Sequence, residues 1–155
     1  MPSVGVVGGN GREMARAFLS MCQGTASCYH ITKGQQHGPK LDILVATEAS
    51  PVLAEIIPRM TSENFLVVNA DDKMIFPYLS PHKAKLITYG FNNKACITAS
   101  SITDDGIQIC IQRAFTTLGG GKHDPQEFAA PGWSAPVSPE AALGAAAAWA
   151  ICGKM

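Results

Sequence analysis

The stretch Val4-Gly5-Val6-Val7-Gly8-Gly9-Asn10-Gly11-Arg12-Glu13 constrains this chain more than any other. A short β-branched run enters a glycine-rich turn. The residues after it place Met14, Ala17, Phe18 and Met21 at helical spacing, which predicts a helix over 12–22. A strand that turns through glycines into a helix bares backbone N–H groups at the helix start, where the dipole favours an anion. The phosphate-binding pattern of this type reads G-x-x-x-x-G-K-[ST], its Lys reaching the phosphates and its hydroxyl binding Mg²⁺. Here Val6 occupies the first Gly position, Arg12 the Lys position and Glu13 the Ser/Thr position. The loop keeps its architecture and changes its chemistry.

The rest of the chain has the rhythm of an α/β domain. Strands are expected over 4–8, 27–32, 41–46 and 65–68, with a helix over 51–60 whose Pro51 suits a first turn. Residues 33–40 (KGQQHGPK) read as a polar loop holding His37. Alternation of β and α predicts a parallel sheet with helices on its faces. After Asn69 the texture changes to strands over 84–89, 95–102 and 106–113, with Asp104-Asp105-Gly106 as a hairpin turn. Gly119-Gly120-Gly121 reads as a second turn rather than a second phosphate loop, because no helix pattern follows it. A short strand over 127–130 and an Ala-rich helix over 139–152, N-capped by Ser138, complete the order.

Composition narrows the function classes. Hydrophobic residues make up 46% of the 155 and charged residues 15%, which describes one globular domain with a real core. Twelve Lys+Arg balance twelve Asp+Glu, so neither a nucleic-acid partner nor a polybasic membrane anchor is expected. No apolar run reaches membrane-span length and no signal-peptide pattern opens the chain, so the expected compartment is the cytoplasm. The five cysteines are odd in number, scattered and free of C-x-x-C, and are expected as thiols. His37, His82 and His123 lie in polar turns and are expected to be solvated, and Asp71 and Asp72 to cap the segment after the strand. The final helix is apolar nearly all round. It either packs on its own sheet or offers a face to a second copy or a partner protein.

Several stretches together resemble the central domain of the Mur ligases and the related folylpolyglutamate and cyanophycin synthetases. Gly5-x-x-Gly8-x-Asn10-Gly11 has the spacing of their G-x-T-G-T-N-G-K-[ST] loop. The run 42–50 (DILVATEAS) resembles their strand ending in E-x-S, Val67-Val68-Asn69-Ala70-Asp71-Asp72 resembles V-[LV]-N-A-D-D, and Ile87-Thr88-Tyr89-Gly90-Phe91 resembles the strand that follows. The resemblance runs in the right order from near Val4 to near Cys152. It implies a P-loop-like three-layer α/β domain with a mainly parallel sheet and a small antiparallel β portion, filling residues 1–155. It also implies ATP or ADP with Mg²⁺ as cofactor, Gly8, Gly9, Asn10, Gly11 and Arg12 at the phosphates, Asn69 at the adenine, and Glu48 as the Mg²⁺ carboxylate. The family forms amides by activating a carboxylate as an acyl phosphate.

The departures are substantial. The long segment that the family carries between the positions of Glu48 and Asn69, with its further Mg²⁺-binding His and carbamylated Lys, has no counterpart, nor has the H-N-x-x-N motif before the last helix. The family's N-terminal substrate domain and C-terminal ligase domain are expected to be absent. The expectation is therefore a nucleotide- or phosphate-binding domain without autonomous ligase activity and with no catalytic residue assigned, an ADP-forming carboxylate–amine ligase only with a partner that supplies the missing domains. The alternatives are a Rossmann-type dinucleotide site, with His30 and Lys33 toward a 2′-phosphate, and an interaction module that dimerises. Gly9-x-Gly11 only partly mimics G-x-G-x-x-G, since Met14 stands at the third glycine.

Overall fold

The computed structural model describes residues 1–32, 40–79, 82–104, 106–133 and 136–153. The loop expected over 33–40, with His37 and Lys33, falls almost wholly outside them. The elements are β1 (Ser3–Val7), α1 (Gly11–Cys22), β2 (Ser27–His30), β3 (Ile43–Ala46), α2 (Leu53–Ile56), β4 (Phe65–Asn69), β5 (Lys85–Tyr89), β6 (Ile97–Thr103), β7 (Gly106–Ile111), β8 (Phe115–Thr116), β9 (Lys122–His123), β10 (Gln126–Ala130) and α3 (Pro139–Ile151).

The described residues form an eight-stranded sheet in the order β10-β7-β6-β5-β4-β3-β1-β2, with β8 and β9 as a separate antiparallel pair. From β2 to β6 all neighbours are parallel, and β7 and β10 extend the sheet antiparallel. The class is α/β, as the sequence rhythm predicts. The antiparallel extension follows from Thr103 pairing with Gly106 across the expected tight turn.

Period-two alternation divides the strands between two cores. Val4, Val6, Ile43, Val45, Phe65, Val67, Ile87 and Tyr89 face α1 and α3. Val7, Leu44, Ala46, Leu66 and Val68 face α2 and the 3₁₀ turns Ile57–Arg59 and Lys73–Leu79. The helix after β1 and the helix after β3 thus lie on opposite faces. The carboxyl ends of adjacent β1 and β3 form the crevice where ligands bind in open α/β sheets.

The helix expected over 51–60 is shorter than its pattern. It runs as α-helix over Leu53–Ile56 and tightens to 3₁₀ over Ile57–Arg59. Pro58 has no N–H to return to the preceding turn, and the geometry tightens where that bond is lost.

The final helix packs on its own sheet. Every residue from Ala141 to Ile151 is buried, so α3 presents no apolar face to a second copy. Small residues allow this burial: a Cβ at Gly144 would lie 2.1 Å from Met14 Cε and 3.0 Å from the Tyr89 ring. Ser138 caps the helix, its hydroxyl accepting from the Ala141 N–H at 3.3 Å. Tyr89, in the middle of this contact, has its phenol pushed well above the usual range by burial, with the charges of Asp71 and Glu140 adding to it.

His123 corrects an expectation. It is not solvated but 7% exposed, because the Gly119-Gly120-Gly121 turn folds β9 back under the end of α3. Its Nε2–H donates to Ala150 O at 3.1 Å, and its ring lies between Phe115, met edge-on, and Phe128, met at a tilt. A helix end left with free carbonyls is a place for a ring N–H. Position in a polar stretch hid this.

Gly144→Val puts two methyl groups where Met14 and Tyr89 already meet. Urea unfolding should show a loss of about 1–3 kcal/mol, the range for overpacking a filled core, despite the better helix former at that position.

Candidate functional site

The site is assembled at the carboxyl ends of β1 and β3. Gly8 takes φ +132, a conformation that L side chains rarely adopt, and a Cβ there would lie 1.8 Å from Thr47 Oγ1. Only glycine lets the turn pass so close to the end of β3. The Gly11 N–H donates back to Gly8 O at 3.1 Å, and Asn10 stands at the N-cap of α1 without a side-chain cap bond. Arg12 is exposed on the first turn of the helix. The N–H groups of Arg12 and Glu13 lie in that turn, where an α-helix has no intrahelical acceptor. Backbone N–H groups at a helix start and an exposed guanidinium beside them are groups with which an anion can pair.

Glu48, at the end of β3, is brought directly onto the turn. The Gly9 N–H donates to Glu48 Oε1, and a Cβ built on Gly8 would lie 3.2 Å from Glu48 Cγ. The backbone on both sides of Glu48 is held. Thr47 is 5% exposed and gives both its N–H and its hydroxyl to Val7 O, at 2.9 and 3.0 Å. The Ala49 N–H donates to Asp72 Oδ2 at 2.9 Å.

Asn69 lies one strand further on and meets the loop only through Thr47. Its Nδ2 donates to Thr47 O at 3.1 Å, and its Oδ1 accepts from the Asp71 N–H at 3.0 Å. The side-chain amide therefore fixes the strand ends. Asp72 accepts from Met74 N–H, and Asp71 accepts from Phe91 N–H at 2.7 Å and from Asn92 Nδ2, so both aspartates tie the following segments.

Glu13 is engaged by a distant segment. It accepts from the Ser138 N–H and joins the start of α1 to the start of α3. It thus serves a second helix, which its spacing in the loop does not disclose.

Two further residues shape the site. His30, at the end of β2, donates from Nε2 to Gly8 O at 3.1 Å, and its ring fills the space beside Gly11, 2.5 Å from where a Cβ would be. Thr47 fills the hollow above Gly8. Alternation predicts where these two side chains point, but not that they close on the turn. Beside the loop, between the ends of β1 and β2 and the turn into α2, opens a cleft of about 440 Å³, its wall including Gly8, His30, Glu48, Ser50, Val52 and Glu55.

The donor set limits the chemistry. Among the described residues no group of three or more His, Cys, Asp or Glu is placed to hold a metal ion. A lone carboxylate suits Mg²⁺ that keeps its waters and is carried by phosphate oxygens, rather than a dedicated all-protein site. Neither Cys28 nor Cys96 is an activated thiol. The Cys28 thiol is pushed up to about 12 by burial and by neighbouring Cys22, and burial also raises Cys96.

The sheet is open and α/β, with a glycine turn and an acidic strand end at its switch point, where such sheets bind ligands. Comparison with solved structures shows that the fold is Mur-ligase-like. The chain is similar to FolC from E. coli, solved in complex with DHPP and ADP (TM-score 0.63, 12% identity, 99% of this chain and 54% of that one). It is similar also to the UDP-N-acetylmuramoylalanyl-D-glutamyl-2,6-diaminopimelate–D-alanyl-D-alanyl ligase from Acinetobacter baumannii (TM-score 0.63, 10% identity, 98% and 43%). MurF from the same organism superposes with TM-score 0.59 at 7% identity, over 97% of this chain and 42% of that one. The chain spans about half the length of these proteins. No protein-family model and no curated protein sequence matches it. No helix among the described residues is long and apolar enough to cross a membrane.

Gly8→Ala forces a Cβ into Thr47 and strains φ. The expected outcome is a loss of roughly 3 kcal/mol in urea unfolding. Gly24→Ala is a useful control: it shares a positive φ, but a Cβ there meets nothing within 4 Å.

Proposed function

We propose that this chain is a nucleotide-phosphate-binding domain of Mur-ligase type that does not form amide bonds by itself. The observation that carries the reading is the glycine turn of β1–α1 facing Glu48 across the β1–β3 crevice. Backbone N–H groups, a helix start and an exposed guanidinium suit the polyphosphate of ADP or ATP. Glu48 is the carboxylate for the accompanying Mg²⁺, and that ion, when bound, neutralises phosphate charge. Asn69 sets the strand ends beside the base position, and its contact with adenine requires that one of its two internal bonds be exchanged.

The case against autonomous ligation is chemical. The loop has Arg12 for the lysine and lacks the metal-binding hydroxyl, and Glu13 is committed to Ser138. Loss of such electrostatic groups costs several kcal/mol of transition-state stabilisation. Residues for the carboxylate and amine substrates come from outside these 155, from a partner or a further segment.

Calorimetric titration tests this. Mg²⁺ with ADP or ATP should bind in the micromolar range, and Arg12→Ala should weaken binding roughly tenfold or more, as loss of a charged hydrogen-bond partner does. Absence of binding at millimolar nucleotide overturns the proposal. Tighter binding of NADPH than of ADP replaces it with the dinucleotide reading.

A further inference from the structure

We propose that Glu48 is a built-in competitor for the loop: its carboxylate holds the place of a phosphate oxygen at the Gly9 N–H, so that the loop admits polyphosphates escorted by a divalent cation and rejects the same anions alone. The inference rests on the phosphate-binding reading above and adds to it a selectivity for ligand class.

The contact is built rather than incidental. Glu48 reaches the turn at two residues: Oε1 accepts from the Gly9 N–H, and its Cγ lies against Gly8. A Cβ at Gly9 would stand 2.7 Å from Oε1, so glycine there gives the carboxylate its room. The flanking backbone is pinned by Val7, Asn69 and Asp72 through Thr47 and Ala49, which limits where the side chain can go. Glu48 is thus an internal anion on the element that would receive an external one.

Glu48 is exposed on the wall of the 440 Å³ cleft, so the displaced side chain has room to turn into the cleft or toward solvent. That wall also carries the Glu55 carboxylate, and among the described residues no ion pair joins Glu48 to a cationic side chain. A bare phosphate that takes the Gly9 N–H therefore deprives Glu48 of its hydrogen bond and sets two anions side by side, with Glu55 on the same wall, a repulsion that solvent at this exposed site screens in part. A divalent cation carried on the phosphate reverses the sign of that interaction and gives the freed carboxylate a partner. Cation and polyphosphate are then coupled through one side chain, and such coupling is typically 5–150-fold in affinity.

The test is calorimetry of the full chain and of Glu48→Ala and Glu48→Gln with ADP and with inorganic pyrophosphate, each in EDTA and in Mg²⁺. The wild type should bind Mg²⁺–ADP about tenfold or more tightly than metal-free ADP. Both variants should bind metal-free ADP about tenfold more tightly than the wild type does, and lose most of the Mg²⁺ enhancement. In the wild type the Gly9 amide resonance should shift on adding Mg²⁺–ADP, and in Glu48→Ala it should begin displaced. Equal metal-free affinity in wild type and variants overturns the competitor role while leaving the loop as a phosphate site. Weaker binding by the variants in both conditions reduces Glu48 to a metal or structural ligand and also overturns it. No binding of either anion by any form, with or without Mg²⁺, removes the phosphate site itself and the proposal with it.

Discussion

The packing of α3 into the face of the parallel sheet, side by side with α1, is the contact on which the rest of this molecule depends. Two helices share one sheet face, and the second is almost wholly alanine and glycine between its ends. Small side chains bring α3 close enough for Met14 and Tyr89 to meet at Gly144. Burial of the apolar strand residues against both helices supplies the dominant driving force. Because α1 begins at Gly11, its fit against α3 also sets where the glycine turn ends. The Glu13–Ser138 bond joins the starts of the two helices at that point. Stability and loop geometry thus have a common origin.

At the crevice, most polar groups are committed to one another. Thr47 serves Val7, Asn69 serves Thr47 and Asp71, Asp72 serves Ala49 and Met74, His30 serves Gly8, and Glu48 serves Gly9. Buried and half-buried polar groups need such partners. Here the partners are the strand ends themselves, so this edge of the sheet is stitched laterally from β2 to the segment after β5.

The local order of the chain was legible because each strand and helix carries its own period and its own turn residues. The β-branched run before Gly8, the Asp104-Asp105-Gly106 turn and the Ser138 cap each declare an element boundary without help from elsewhere. What was hidden depends on contacts between distant segments. Glu13 meets Ser138 across 125 residues, and Glu48 meets Gly9 across 39. His123 sits in a stretch of Gly, Lys and Asp whose polarity predicts solvent, yet the helix end above it needs a donor. Pro58 was visible in the sequence, but the periodic pattern over 51–60 did not show that the α-helix gives way to a 3₁₀ turn at Ile57. The loop's resemblance carried the fold, at identities of 7–12% to the solved structures, because glycine spacing and strand-end residues encode backbone geometry more durably than side-chain chemistry.

The position of α3 in chain order has a consequence for synthesis. Every described strand of the sheet precedes residue 139, yet the face bearing Val45, Val67 and Ile109, which α1 covers in part, is completed by that helix. A chain emerging from the ribosome therefore holds a nearly complete sheet with part of one apolar face, the part beside α1, uncovered until α3 is released. Transiently exposed surfaces of this kind are the ones that chaperones engage and that aggregate when crowded. Translation speed through the segment that encodes residues 106–151 sets how long that face stays bare.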